Sequence, residues 1–147
     1  VFGTGLHQTT QLCMLQLEKY IDENSVVADL GCGSGILSVV ALLLGAKSAF
    51  AVDIDANAIK TAYENADLSG VDKSKYYVTS GNVIDDKALQ DEIGYDKYDV
   101  VVANIIADVV PLVQLFQNSL KRVAYLLPLV LLRIELTMFT RHLLKLV

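Results

Sequence analysis

One run constrains this chain more than any other: Asp29-Leu30-Gly31-Cys32-Gly33-Ser34-Gly35. Val26 to Leu30 reads as a short buried strand, and Ile36 to about Leu44 as an apolar helix stopped by Gly45. The glycines therefore sit where a strand hands over to a helix. There they let the backbone turn tightly and let a ligand approach closely. The helix start adds free amide donors. A glycine-rich turn alone is a weak signal, but the next strand, Ala49 to Ile54, carries an acid, Asp53, at its end. A carboxylate at that place can accept both hydroxyls of a ribose. Asp55, the rival acceptor, stands at a strand-to-helix junction and is read as a helix cap.

The rest of the chain repeats the alternation. Thr9 or Thr10 caps a helix to about Tyr20, with Leu12, Leu15 and Leu17 on or near one face. Ala56 to Ser69 is a helix closed by Gly70, and Tyr76 to Thr79 a third strand. A polar connection from Asp85 to Asp96 holds one helical turn. Asp99 to Ala103 is a fourth, apolar strand, and Val109 to Leu120 a further helix. Buried apolar strands joined by helical crossovers predict an α/β fold, a doubly wound, mostly parallel, Rossmann-like sheet.

Composition narrows the classes. At 147 residues, 53% hydrophobic and 20% charged, the chain makes one domain with a real core. No apolar run nears the roughly 20 residues of a membrane helix, and no signal peptide is visible. Two cysteines make no disulfide framework, so a reduced, cytoplasmic protein is expected. With two histidines and two cysteines there is no metal-ligand spacing. A net charge of −5 favours a basic partner over nucleic acid.

Two cofactor classes use such a loop. The dinucleotide fingerprint would place its third glycine at position 36, which is Ile36. The loop instead reads Gly-x-Gly-x-Gly, with an acid two residues upstream, and resembles the first motif of class I methyltransferases. Three segments narrow the resemblance: Phe2-Gly3-Thr4-Gly5-Leu6-His7-Gln8-Thr9-Thr10, the glycine loop through Leu37, and Val102-Ala103-Asn104-Ile105-Ile106-Ala107-Asp108. Over Phe2 to about Lys121 the chain resembles the ribosomal protein L-eleven methyltransferase family, PrmA.

That resemblance implies S-adenosylmethionine as cofactor, with NAD the alternative, and methylation of lysine or N-terminal amines on a large-subunit ribosomal protein. It places cofactor contacts at Thr10, Gly31, Asp53 and Asn104, with Gly33 and Gly35 in the same loop. Asp29 is implied to position the loop and the cofactor's methionine amino group. Asn82 is an adenine-side neighbour. Asn104, after the fourth strand, could orient the amine nucleophile, since its amide both donates and accepts. The alternatives are another amine or a nucleobase as substrate, or a cofactor-binding fold that is not catalytic. Where nucleobase-directed relatives carry Asn-Pro-Pro-Tyr, this chain has Asn104-Ile105-Ile106-Ala107, without the aromatic that stacks on a flipped base. His7 is read as a loop residue rather than a base, and Cys32 as a small filler rather than a nucleophile.

The two ends read differently from the middle. The chain opens at Val1, already inside a motif, and is expected to be a fragment without the family's N-terminal substrate-recognition domain. Residues 1–121 form the cofactor-binding core, and 122–147 an atypical tail. From Val123 to Val147 there are nine leucines and no glycine, asparagine or aspartate, the residues that turns and caps require. Freely chosen codons for this tail, read in a shifted frame, can spell a Gly-Gly turn, a strand and an amphipathic helix. The expectation is a frame-shifted ending and a sheet incomplete at its C-terminal side.

Overall fold

A computed structural model describes residues 8–94, 97–104, 122–127 and 130–134, the last two segments as backbone. In chain order they form α1 (Gln8–Tyr20), β1 (Val26–Leu30), α2 (Ile36–Leu43), β2 (Ser48–Asp53), α3 (Asn57–Leu68), a 3-10 turn (Lys73–Lys75), β3 (Tyr76–Ser80), α4 (Lys87–Ile93), β4 (Val100–Ala103), β5 (Arg122–Leu127) and β6 (Val130–Ile134). The opening segment before Gln8, His7 included, and the expected helix from Val109 to Leu120 lie outside the described residues.

The six strands form one sheet in the order β3-β2-β1-β4-β5-β6. All neighbours run parallel except β5 and β6. The alternation of side chains along each strand explains why both faces are covered. Val27, Ala49, Ala51, Tyr76, Val78, Val100 and Val102 point to one face and pack with Cys13 and Leu17 of α1, Leu37 and Val39 of α2, and Ala62 and Ala66 of α3. Their neighbours Ala28, Leu30, Phe50, Val52, Val101 and Ala103 point to the other, against Leu89 and Ile93 of α4. A strand buried on both faces has to be apolar at every position, which is how Val-Val-Val-Ala at β4 reads. The doubly wound expectation holds.

Several local readings change, beginning with Thr9 and Thr10, which lie inside α1 rather than capping it because the helix already runs from Gln8. On α1 the buried stripe is Thr10, Cys13 and Leu17, while Leu12 is 39% and Leu15 53% exposed. Leu15 stands two residues from Leu17, about 200° around the helix, and cannot share its face. The connection after β3 holds seven helical residues rather than one turn. Asp86 caps that helix, its carboxylate accepting from Leu89 N–H, and Leu89 and Ile93 give it a buried side. Finally, the sheet continues past Lys121: β5 pairs parallel with β4 from Val100↔Arg122 to Ala103↔Tyr125, and β6 returns beside it. The change of composition there is not a break in the sheet, because a run rich in Val, Leu and Tyr meets what a strand asks for.

The winding fixes the place of the site. From β1 the chain moves outward to β2 and β3, then returns to place β4 on the other side of β1. At such a reversal the loops leaving the carboxyl ends of β1 and β4 diverge and open a crevice.

Candidate functional site

Each loop residue at this crevice has a local cause. Past Leu30 the chain reverses, and Gly31 and Cys32 both donate their N–H groups to the Val52 carbonyl, at 2.8 and 3.0 Å. The end of β2 thus anchors the start of the loop. Gly33 has φ +52° with open space where a Cβ would stand, so backbone conformation alone asks for glycine. Gly35 has φ +72° and is crowded as well: a Cβ would lie 2.4 Å from the Tyr76 hydroxyl and 2.8 Å from Ala62 Cβ. Gly35 therefore serves the packing of α2 on α3 and β3. From α3, Asn65 donates its side-chain N–H to the Ser34 carbonyl at 2.8 Å and steadies the loop from outside.

The two acids behave differently. Asp53 accepts from Gly33 N–H at 2.7 Å through Oδ2 and from Asp55 N–H at 2.9 Å through Oδ1. It ties the end of β2 to the glycine loop. Asp55 accepts from both the backbone and side-chain N–H groups of Asn57, at 2.9 Å each, in the turn before α3; the N-cap itself is Ala56, without a side-chain capping bond, so the cap expected of Asp55 lies one residue further on. Asp29 lies beneath the loop, 1% exposed, with Ser38 N–H and Ser38 Oγ–H both donating to its Oδ2 at 3.1 and 2.7 Å. Burial pushes its carboxyl up to about 6, the two Ser38 bonds oppose that, and the charge of Asp53 adds to it.

Across the crevice, Asn104 follows β4 and donates its amide N–H to Thr10 Oγ1 at 3.1 Å. Thr10 is 2% exposed. Thr10, Asp29, Gly31, Cys32, Gly33, Ile36, Leu37 and Asn104 together line a small depression of about 50 Å³. Five of the eight residues singled out from the sequence converge here: Thr10, Asp29, Gly31, Gly33 and Asn104. Asp53 reaches it through Gly33. Gly35 faces the packing side of the loop. Asn82 stands apart in the turn after β3, where Oδ1 accepts from Ile84 N–H and Nδ2 donates to Asp85, at 3.0 and 2.7 Å.

A larger depression, about 590 Å³, lies at the opposite, amino-terminal edge of the sheet beside Phe50, Lys75, Tyr77 and Lys97. Volume does not make it the site. Its Glu92 accepts from the Tyr77 hydroxyl and its Lys73 pairs with Asp67, and among the described residues no glycine loop lines it. The Cys32 thiol is buried and held well above its ordinary range by that burial, then by the charges of Asp29 and Asp53. It stays a protonated filler, not a nucleophile. Among the described residues no group of three potential metal ligands exists.

Two residues at the site escaped the sequence reading. Ile54 is 74% exposed beside Asp53, an apolar surface next to a carboxylate. Ser38 is fully buried and is the single polar residue of Ile-Leu-Ser-Val-Val-Ala-Leu-Leu. A lone serine in an apolar helix, nine positions after a buried acid, was the available signal.

The geometry fits the comparisons with known proteins. The family model "Ribosomal protein L11 methyltransferase (PrmA)" matches residues 1–128. The chain belongs to this family. A PrmA relative from Lachnospira eligens is 52% identical over 125 residues, 84% of this chain and 39% of that protein. One from Agathobacter rectalis is 48% identical over 84% of this chain and 40% of its own length. The chain thus spans about two fifths of the length of these curated relatives. The crystal structure of a ribosomal protein L11 methylase from Lactobacillus delbrueckii subsp. bulgaricus superposes with TM-score 0.68 at 36% identity, covering 84% of this chain and 61% of that one.

Proposed function

We propose that this PrmA-family chain is the cofactor-binding core of an S-adenosylmethionine-dependent methyltransferase. Its acceptors are lysine side chains or N-terminal amines of a large-subunit ribosomal protein, methylated in the cytoplasm. The observation that carries the reading is the convergence of the glycine loop, with Asp53 bonded to it, and the Thr10–Asn104 pair on one crevice. The donor set suits this cofactor. Asp53 offers a carboxylate for ribose hydroxyls, and Ile54 an apolar surface beside it. Gly31 and Gly33 allow close backbone approach, and Asp29 supplies an anion for an ammonium group. Gly35 and Asn82 support these from the loop's packing side and from the turn after β3.

Held by Asp53, Asp29 and the backbone at Gly31 and Gly33, the cofactor would supply a methyl group activated on a sulfonium. The chain's task is alignment. Because Asn104 gives its N–H to Thr10, its carbonyl oxygen is left to accept from an amine N–H and aim the nitrogen lone pair. The amine must first lose a proton, given an ordinary lysine pKa of about 10.4. Solvent or the polar cluster near Asn104 takes that proton. The experiment is transfer of labelled methyl groups to purified ribosomal proteins by the complete protein. Label on lysine or the N-terminus of a large-subunit protein supports the reading, and label only on RNA overturns it.

For the chain's organisation we propose a core over residues 1–121 and a tail over 122–147 written in a shifted reading frame. Sequencing the source DNA tests this. An inserted or deleted base near codon 121 supports it, and an uninterrupted frame whose relatives share the tail rejects it.

A further inference from the structure

We infer that Ser38 is a positioning residue for the methionine end of the site: it orients Asp29 through two hydrogen bonds to one oxygen, leaving the other to hold an ammonium group. The inference rests on the cofactor reading above, since the ammonium is the cofactor's. Its basis is the geometry beneath the glycine loop. A fully buried carboxylate is costly unless it is paired or hydrogen-bonded. Among the described residues, the titratable groups facing Asp29 are Cys13 from α1, Cys32 from the loop, Asp53 from β2 and Tyr76 from β3. None of these is a cation. Ser38 supplies both hydrogen bonds to Oδ2 from the first turn of α2, one from the backbone and one from the hydroxyl. Hydrogen bonds donated to a carboxylate favour its charged form.

Asp29 also lines the depression shared with Gly31, Thr10 and Asn104. A cationic group entering there would be the carboxylate's counter-charge. Ser38 touches no ligand in this account and acts only through Asp29. Its hydroxyl fixes which oxygen is occupied and how readily the acid ionises when a cation arrives. The carboxyl stands at about 6 with Ser38 in place, so removing the hydroxyl bond moves that value upward, toward physiological pH.

The test compares two ligands on the complete chain by calorimetry from pH 5.5 to 8.5. S-adenosylhomocysteine carries the amino-acid end, and 5′-methylthioadenosine lacks it. In the unsubstituted protein, S-adenosylhomocysteine affinity should fall as pH drops through about 6, and methylthioadenosine affinity should stay level. Ser38→Ala should weaken S-adenosylhomocysteine roughly ten-fold at pH 7, shift its acid limb to higher pH, and leave methylthioadenosine unchanged. Ser38→Thr should restore the profile. If Ser38→Ala does not fold, Ser38→Cys keeps the volume with a weaker donor and takes its place. Equal weakening of both ligands, or an unmoved pH profile, overturns the inference. Failure of both ligands to bind the unsubstituted protein overturns the cofactor reading instead.

Discussion

The loops after β1 and β3 leave the same edge of the same sheet, yet they are held in opposite ways. The loop after β1 is fixed from a distance: Gly31 and Cys32 bond to Val52, Gly33 to Asp53, and Ser34 to Asn65 of α3. The turn after β3 is tied to β2 only at its first residue, where Gly81 N–H donates to the Asp53 carbonyl at 2.9 Å, and beyond that it holds itself. Asn82 bonds to Ile84 and Asp85, and Gln90 reaches back to the carbonyls of Val83 and Ile84. A loop held by distant elements takes its shape from the assembled sheet, so damage to it spreads. A loop held locally forms with its own few residues, and damage stays there.

The largest expected effect follows at Gly35. Gly35→Ala combines a left-handed backbone, costing about 1–2 kcal/mol, with a contact to the buried Ala62 that cannot yield. Overpacking of that kind costs about 1–3 kcal/mol, so a loss on the order of 3 kcal/mol is expected in urea titration. An unchanged midpoint would show that α2 does not depend on close packing at this glycine.

Asp29→Asn should act in the other direction. A carboxyl raised to about 6 in the folded chain, from 3.8, binds its proton more tightly folded than unfolded. The native fold therefore loses stability as pH rises from about 4 to about 6, and the deficit persists above. Asparagine has no such titration and can still accept from Ser38. It should stabilise the fold at pH 8 by on the order of 2–3 kcal/mol and give no advantage near pH 4. Thermal melts at both pH values check the sign, and a gain of equal size at pH 4 would contradict it.

Asp53→Ala removes the clasp on Gly33 together with the proposed ribose acceptor. Affinity for S-adenosylhomocysteine should fall by tens-fold, about 2 kcal/mol. Asp53→Asn keeps an acceptor for Gly33 N–H and should fall less. Equal losses in the two variants would mean the charge matters and the clasp does not. The smallest effect belongs to the self-contained turn: Asn82→Ala should cost about 1 kcal/mol of stability and shift affinity by no more than about three-fold. A collapse of binding there would show that the two loops are coupled.

The same contrast explains what the sequence made legible. Strand and helix order, the glycine loop and the acid at the end of β2 were readable because each is a local pattern with a local cause. Gly-x-Gly-x-Gly marks a turn, and apolar runs mark buried strands. The clasp from Asp53 to Gly33 crosses 20 positions, and the Asn104–Thr10 bond crosses 94; periodicity says nothing about which side chains such distances bring together. The face of α1 was misread because three leucines drew attention, while the buried stripe runs through Thr10 and Cys13, a polar and a weakly apolar residue. Ser38 was missed because a serine inside a helix ordinarily bonds its own backbone, and only the fold places Asp29 beside it.

The most direct test of the central claim is the thermal stability of the complete chain with each cofactor present. S-adenosylhomocysteine at about 100 times its dissociation constant should stabilise the fold by about 2.7 kcal/mol, with a matching rise in melting temperature. NAD at the same concentration should leave the melting temperature where it was. Stabilisation by NAD with none from S-adenosylhomocysteine would contradict the account.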